Sequence, residues 1–335
     1  MRIVMTLLVQ NEVDIVDTWL RYHLARGVDV VIVTDHRSDD GTSEVLHEHA
    51  RDGTVAVHRE DADVLRQGEW VTRMARAAVT EHGADWVIPS DADELWWPRS
   101  GSFHEILEAV PQRFGVVRGL MRHFVLRLGD APFFERMTVR ARPTADLSKP
   151  HHAQVKIAHR GVADAVVSTG NHDVEGTGLR LLREWFPFEV FHFPVRDELQ
   201  LEAKFRRRTT SPDGQHIVRA LELLDRGERD LLLAETAVLD ADLEERLRDG
   251  TLVEDTRLRD ALRGLAADGR LPEDPAPTLA DDADLAEDAH VALEHDSAAI
   301  AERRCAELEH GVAVLEARPL TGRLGRRIRG SGAGG

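Results

Sequence analysis

The sequence predicts an α/β protein with a mixed sheet flanked by helices and a helical C-terminal extension. Over residues 1–100, short apolar runs alternate with segments whose apolar residues recur at helical spacing. That alternation is typical of parallel β-α-β units. From Leu221 to Leu265 the chain is rich in Leu, Ala, Glu and Arg, which favours helices. With 335 residues, 42% of them hydrophobic, the chain can bury a large core.

The elements follow one another in a regular order along the first part of the chain. Val13, Val16, Leu20 and Leu24 lie on one face of the first helix, which Gly27 ends. Strands are predicted at 2–9, 28–34, 54–58 and 86–89, with helices at 13–25, 42–50 and 70–82 between them. Further short strands are predicted at 116–124, 137–142, 155–159 and 188–193.

Three regions are expected: an α/β domain over 1–210, a helical extension over 211–317, and a basic tail over 318–335. The Gly-rich end of the tail predicts disorder. Its Leu320, Leu324 and Ile328 fall four apart among five arginines, which also suits weak peripheral contact with an anionic membrane. Both interpretations of the tail stay open.

Composition excludes several classes of protein. A net charge of −17, mostly carried by residues 225–310, argues against nucleic acid as a partner. No apolar run approaches the ~18 residues that span a bilayer, and the apolar run from Ile3 to Val9 is too short for a secretory signal. A lone Cys305 excludes a disulfide framework and a cysteine-based zinc site. We therefore expect a cytoplasmic protein, at most peripheral to the inner face of the membrane.

The segment Ser90-Asp91-Ala92-Asp93-Glu94 follows a predicted strand. Ligands of open α/β sheets bind outside the carboxyl ends of strands. Asp91 and Asp93 are two residues apart, so they project to the same side of an extended segment and can share Mg²⁺ or Mn²⁺. The alternative is a polar loop whose aspartates cap the next helix.

Two other polar clusters follow predicted strands. The segment 35–42 opens into a helix and offers short polar side chains for a base or ribose, although it also reads as ordinary turn and cap chemistry. Gln10-Asn11-Glu12 ends the first strand. The carboxyl ends of parallel strands share one edge of the sheet, so the three clusters are expected to converge on one crevice.

These segments, in this order and spacing, resemble family 2-type glycosyltransferases of the GT-A fold. The resemblance covers roughly residues 1–210 and weakens beyond them. The residues that carry it are Asn11-Glu12, then Trp19, Tyr22, His23 and Gly27, then the segments 35–42 and 86–94.

The resemblance implies a nucleotide-sugar donor with uridine diphosphate as carrier, a divalent cation (Mn²⁺ or Mg²⁺) and inverting transfer to a glycan, lipid-linked or small-molecule acceptor. By the same resemblance, Asp35 binds the nucleoside, with Asp40 as a second candidate, while Asp91 and Asp93 hold the metal on the diphosphate. Arg37 stands where the family usually has a small residue. The further residues assigned to the donor site are Asn11, Glu12, Ser38, Arg73, Asp91 and Lys156, and His192 is assigned to the metal.

An inverting transfer needs a general base for the acceptor hydroxyl. The loop 170–173 supplies Asp173, with His172, Glu184 and Glu189 as rivals. Two other functions stay open: a nucleotidyltransferase on a related sheet, and a catalytically silent protein that binds nucleotide sugars. Against the first, no Gly-rich basic loop follows the first strand. Against the second, both aspartates of the Asp-x-Asp motif are present.

Overall fold

A computed structural model gives the fold. It describes residues 1–142, 155–198, 200–202, 222–228, 240–274, 281, 283–294, 296, 297, 301 and 305. Contacts divide the chain into two compact units, Met1–Ala292 and Leu293–Gly335, and the sheets lie in the first. The predicted boundaries at 210 and 317, and the tail from 318, lie outside the described residues. Within the described ranges, no helix combines the length and apolar character needed to cross a bilayer.

The first part of the chain forms the predicted parallel β-α-β units. Strands β3, β2, β1 and β4 lie side by side in that order and run parallel, with β1 at the centre of the four. The elements are β1 (Ile3–Val9), α1 (Val13–Ala25), β2 (Val30–His36), α2 (Thr42–His49), β3 (Val55–Glu60), α3 (Gln67–Thr80) and β4 (Trp86–Asp91).

Shorter elements complete the sheet. They are β5 (Glu94–Pro98), α4 (Phe103–Ala109), β6 (Val116–His123), α5 (Phe133–Arg136), β7 (Val139–Ala141), β8 (Val155–Arg160), β9 (Val166–Val167), β10 (Val174–Glu175), β11 (Phe188–His192), α6 (Asp240–Arg248), β12 (Leu252–Glu254) and α7 (Arg257–Asp268). The eight-stranded sheet has the order β3-β2-β1-β4-β8-β6-β11-β5. Since β8 and β5 pair antiparallel with their neighbours, the sheet is mixed, and the predicted α/β class is confirmed.

Helices bury both faces of this sheet. Side chains alternate along β1, so Met5 packs with Trp19 of α1 on one face while Val4 packs with Met74 of α3 on the other. Leu258 and Leu262 of α7 join the face that α1 covers. A continuous apolar strand between two helical layers is the expected pattern for a parallel sheet.

Strand β5 ends the sheet, and α1 covers its outer edge. Trp19 Nε1 donates to the Glu94 carbonyl at 2.7 Å, and the Tyr22 hydroxyl donates to the Trp96 carbonyl at 3.2 Å. The Trp96 N–H donates to His23 Nε2 at 3.0 Å. Three helix side chains thus take the place of a neighbouring strand. Without partners, these backbone groups would be costly to bury. The sequence does not predict β5.

Buried ion pairs attach the later part of the first unit to the sheet. Glu189 of β11 accepts from Arg122 Nε at 2.5 Å and from Arg257 Nη1 at 2.6 Å. Burial opposes ionisation of Glu189, but Arg122 and Arg257 outweigh it and lower its pKa to about 2. Arg122 also pairs with Asp288, and Arg257 pairs with Asp255 at 2.7 Å. Removing one member of such a buried pair is expected to be strongly destabilising.

The environment of His23 makes stability depend on pH. Its Nδ1 lies 2.8 Å from the Trp19 carbonyl and its Nε2 accepts a hydrogen bond, so the folded state holds the neutral ring. Burial lowers the pKa of His23 to about 3. Above about pH 6.5 the ring is neutral in the folded and unfolded states alike. Between about pH 6.5 and the folded pKa of about 3, His23 takes up a proton only in the unfolded state. Stability therefore decreases as the pH is lowered through this range.

We therefore expect His23→Gln to reduce the pH dependence of folding. Urea denaturation measures the free energy of unfolding. Between about pH 6 and pH 4, this free energy should fall less steeply in the variant than in wild type, by up to about 1.4 kcal/mol per pH unit. His58→Gln controls for loss of an imidazole at an exposed position. Identical pH slopes for wild type and His23→Gln would contradict the role assigned to His23.

Candidate functional site

Three strained residues surround the carboxyl edge of the parallel strands. Asn11 follows β1, Arg37 follows β2, and Asn171 lies against Asp91 at the end of β4, with Nδ2 3.4 Å from its Oδ1. Their φ angles are 57°, 56° and 60°, and no other described non-glycine residue has a positive φ. Left-handed conformations of residues with side chains cost energy and concentrate at functional sites. Backbone strain therefore marks this edge.

Hydrogen bonds join the loop after β1 to the loop after β2. The Asn11 N–H donates to Ser38 Oγ at 3.0 Å, and Asn11 Nδ2 donates to Asp39 Oδ1 at 2.8 Å. The Asp39 N–H donates back to Asn11 Oδ1 at 2.9 Å, and the Val13 N–H donates to Asp40 Oδ2 at 3.1 Å. The structure thus brings together Asn11, Ser38 and Asp40, three of the predicted donor-site residues. Their side chains join the two loops.

Asp35 is buried at the end of β2. Its Oδ1 accepts from the Ser38 N–H at 3.1 Å, its Oδ2 accepts from the Ser43 hydroxyl, and the Arg59 guanidinium lies 3.9 Å from Oδ2. Through β1, whose Val9 aligns with Asp35 and whose Leu8 aligns with Asp91, both carboxylates end at the same edge of the sheet. The predicted convergence of these residues on one edge is what the structure shows.

Asp91 is held by three donors. Lys156 Nζ lies 3.3 Å from its Oδ2, and Gln67 Nε2 lies 3.2 Å from its Oδ1, which also faces Asn171. Lys156, predicted as a phosphate contact, comes from β8, beside β4. The structure therefore surrounds Asp91 with positive and amide groups from three different segments.

Glu94 and Lys156 form a buried pair behind Asp91. Lys156 Nζ lies 2.5 Å from Glu94 Oε1 and 2.6 Å from the Gly170 carbonyl, and the two side chains are 4% and 2% exposed. Burial raises the pKa of Glu94 to about 8, Asp91 and Asp93 add to that shift, and Lys156 opposes it. Burial alone would lower the pKa of Lys156, but the Glu94 and Asp91 carboxylates raise it above its usual value. Burial thus favours the protonated form of Glu94, and Lys156 favours its ionised form.

Asp93, Glu94 and His192 could hold a metal ion. Each offers a ligand atom, and these atoms lie within 4.8 Å of one another. His192 Nε2 is 3.6 Å from Asp93 Oδ2. Carboxylates with one imidazole suit Mn²⁺, and the carboxylates also suit Mg²⁺, so the side chains fit such an ion. Of the predicted set, Asp93 and His192 lie in this group, whereas Asp91 lies beside it and faces Lys156.

Sequence reasoning missed that Glu94 belongs to the candidate metal group, and it assigned no contact to Arg196. Arg196 is fully buried, and its Nε and Nη2 lie 2.6 Å and 2.8 Å from the two Asp14 oxygens. Its Nη2 also donates to Glu12, a predicted donor-site residue. Arg196 therefore ties the segment after β11 to the start of α1. The signals available in the sequence were an acidic residue directly after Asp93 and an arginine four residues after His192.

Arg73, predicted to face the donor, lies on α3 and pairs with Glu60 at 3.1 Å. Its side chain is half-exposed, and it lines an open groove of about 770 Å³ between α3 and residues 166–169. Arg73 thus contacts Glu60 of β3 and forms part of the wall of this groove. Its role toward a donor stays a prediction.

The candidates for the general base lie in different surroundings. Asp173 is exposed, and its Oδ1 accepts from the Val174 N–H at 2.9 Å. His172 Nδ1 lies 2.7 Å from the Val155 carbonyl. Glu184 is exposed, while Glu189 lies in the buried ion pairs that attach α7. Asp173 and Glu184 therefore have carboxylates that solvent reaches.

No protein-family profile matches the sequence, and no curated protein matches it. Several solved structures do. TarS residues 1–349 from S. aureus in complex with UDP-GlcNAc matches with 10% identity and a TM-score of 0.37, covering 63% of this chain and 68% of that one. TarS residues 1–349 in complex with UDP matches with 13% identity and a TM-score of 0.36, covering 80% and 87%.

Two mycobacterial structures match shorter parts. Glucosyl-3-phosphoglycerate synthase from Mycobacterium tuberculosis, in complex with Mn²⁺, UDP-glucose and phosphoglyceric acid, has 20% identity and a TM-score of 0.25, with 38% of this chain and 45% of that chain covered. A structure described as a mycobacterial protein has 21% identity and a TM-score of 0.27, with 36% of this chain covered. The present chain spans 41% of that protein's length.

Lys156 is expected to matter for stability. Lys156→Met leaves the Asp91 carboxylate and buried Glu94 without their shared cation, so unfolding should become easier by up to about 3–5 kcal/mol, and by less where Glu94, whose pKa burial raises to about 8, takes up a proton. Guanidinium unfolding at neutral pH measures this change. The matched control is Lys156→Met combined with Glu94→Gln, which removes the charge of both partners and should recover most of the loss. A single variant as stable as wild type would show that Lys156 does not neutralise these carboxylates.

Proposed function

We propose that this chain is a metal-dependent glycosyltransferase of the GT-A type. It would move a sugar from a nucleoside diphosphate sugar, with uridine diphosphate as carrier, to a hydroxyl acceptor with inversion. The observation that carries the proposal is the group Asp93, Glu94 and His192 at the same sheet edge as buried Asp35. Ligands of open α/β sheets bind at that edge.

The charges of the site support a diphosphate ligand. Asp93, Glu94 and His192 would hold the divalent cation, which, when bound, offsets negative charge on the diphosphate. Lys156 lies 2.5 Å from Glu94 and 3.3 Å from Asp91, so it keeps the cluster from carrying its full negative charge. Reduced repulsion at this edge favours binding of an anionic donor.

Asp35 supports a nucleoside site at the end of β2. Strand β1 lies between β2 and β4, the strand that ends with Asp91. It is 1% exposed and is oriented by the Ser38 N–H and the Ser43 hydroxyl. A carboxylate held in one orientation can accept hydrogen bonds from a base or ribose with little loss of side-chain entropy. The strained backbone of Arg37, two residues later, keeps the loop in an unusual conformation beside this carboxylate.

Asp173 is the residue proposed as the general base for the acceptor hydroxyl. Its carboxylate is exposed, and its loop is tied to the donor end because the Gly170 carbonyl accepts from Lys156. In the proposed transfer, the acceptor oxygen bonds to the anomeric carbon of the sugar while the bond from that carbon to the diphosphate oxygen breaks, so the configuration inverts and the nucleoside diphosphate leaves. Asp173 takes the proton of the acceptor hydroxyl. The acceptor classes carried over from the sequence are glycans, lipid-linked molecules and small molecules, and they stay predictions.

Asp93→Asn tests the metal site. Calorimetry should show that UDP binds wild type more tightly with Mn²⁺ than without it, and that the variant loses at least about tenfold in Mn²⁺-dependent affinity, because a ligand side chain loses its charge. Asp85→Asn is the matched control. Asp85 lies just before β4, whereas Asp93 lies just after it. Asp85 accepts a hydrogen bond from the Arg2 N–H at 2.6 Å. Metal-independent binding by wild type, or unchanged affinity in Asp93→Asn, would refute the metal assignment.

Asp35→Ala tests the nucleoside end. Loss of a hydrogen bond to a charged acceptor costs about 1.5–3 kcal/mol, so UDP affinity should fall roughly ten- to a hundredfold. Asp29→Ala serves as control, because Asp29 lies just before the same strand and accepts from the Ile3 N–H at 2.8 Å. Both variants are first compared by thermal unfolding. Equal affinities for Asp35→Ala and wild type would place the nucleotide elsewhere.

A further inference from the structure

His123 and His192 form a pair of imidazoles at the carboxyl ends of β6 and β11. The two strands are parallel, and their register aligns His123 with His192. The two Nδ1 atoms are 2.9 Å apart, and the rings meet edge to face with centroids 5.1 Å apart. Both residues are half-buried. Neither the sequence analysis nor the proposed function gives His123 a role.

The short distance between the Nδ1 atoms restricts the protons on the two rings. A hydrogen bond between two imidazole nitrogens needs one N–H and one lone pair, so the two Nδ1 atoms cannot both be protonated while the bond exists. The other nitrogen of His192, Nε2, faces Asp93 at 3.6 Å. This contact makes Nε2 the ring atom placed to bind an ion in the candidate group of Asp93, Glu94 and His192. A metal ion needs a lone pair on that atom.

We propose that His123 is a positioning residue that orients His192 for the metal. With Nε2 of His192 on the ion, its proton resides on Nδ1 and is donated to Nδ1 of His123. His123 then accepts, which selects the tautomer of His192 and holds the plane of its ring. Partners of this kind behind a ligating histidine typically change metal affinity 10–100-fold when removed.

The register of the sheet explains how His123 reaches this position. Phe191 and Phe124, which flank the pair, lie in the core with ring centroids 5.4 Å apart, so both strand ends are packed. The backbone pairing continues one residue past the end of β6, because the Phe124 N–H donates to the His192 carbonyl at 2.9 Å. Backbone and core packing therefore hold the two imidazoles together before any ion binds.

The proposal rests on the proposed function, because it assigns His192 to a metal. The test compares His123→Leu, which keeps bulk but offers no acceptor, with His123→Asn, whose Oδ1 can accept near the original Nδ1 position. His192→Ala reports on the metal site itself. His104→Leu is the matched control, since His104 is also half-buried and its Nε2 contacts a carbonyl, that of Gly27, at 3.1 Å.

Titration calorimetry of the full chain with MnCl₂, with and without UDP, measures the affinity. We expect His123→Leu to bind Mn²⁺ about 10–100-fold more weakly than wild type. His123→Asn should recover most of that loss, and His104→Leu should bind as wild type does. Thermal unfolding without metal checks that the two His123 variants are equally folded. Recovery by asparagine separates an accepting role from simple packing, which leucine also provides.

Three results would overturn the proposal, and they are distinguishable. If wild type binds Mn²⁺ and His192→Ala loses it, but His123→Leu binds as wild type does, His123 has no positioning role and the metal site stands. If wild type shows no Mn²⁺ binding, or His192→Ala binds equally well, the metal assignment fails and the proposal for His123 fails with it. Equal weakening in the leucine and asparagine variants also refutes the accepting role.

Discussion

The hydrogen bonds from α1 to the outer edge of β5 are the constraint on which the candidate site depends. Trp19, Tyr22 and His23 form hydrogen bonds with backbone groups at the outer edge of β5, which begins at Glu94. This edge starts directly after Asp93, so the same bonds that end the sheet also place the acidic segment. Trp19, Tyr22 and His23 therefore act as scaffold and support the site only indirectly.

Charge compensation is the second organising feature. Lys156 lies between Asp91 and Glu94, Arg196 binds Asp14 and Glu12, and Arg122 and Arg257 bind Glu189. In each of these pairs the cation comes from a segment remote in sequence from the carboxylate. Buried pairs of this kind contribute little net stability relative to apolar residues, but breaking one is expensive. They therefore make the relative placement of distant loops specific.

Much of the site was predictable because polar clusters followed apolar runs. Parallel strands end at one edge, so Asn11, Asp35 and Asp91 had to lie near one another once the β-α-β order was recognised. The position of Glu94 beside Asp93 and His192 was not predictable in the same way. Its position depends on β5, which pairs with β11 from much later in the chain. A five-residue strand formed by such distant pairing leaves little signal in local periodicity.

The amino-acid sequence by itself determined the α/β class, the order of the parallel units and the sheet edge where acidic residues collect, because apolar periodicity is a local property. Only the tertiary structure decided which side chains meet there. It grouped Asp93 and Glu94 with His192, turned Asp91 toward Lys156, and set His123 behind His192. Those contacts depend on strand register between segments distant in the chain: Asp91 and Lys156 are 65 residues apart, and His123 and His192 are 69 residues apart. No local pattern encodes that register, and the packing of the whole sheet selects it.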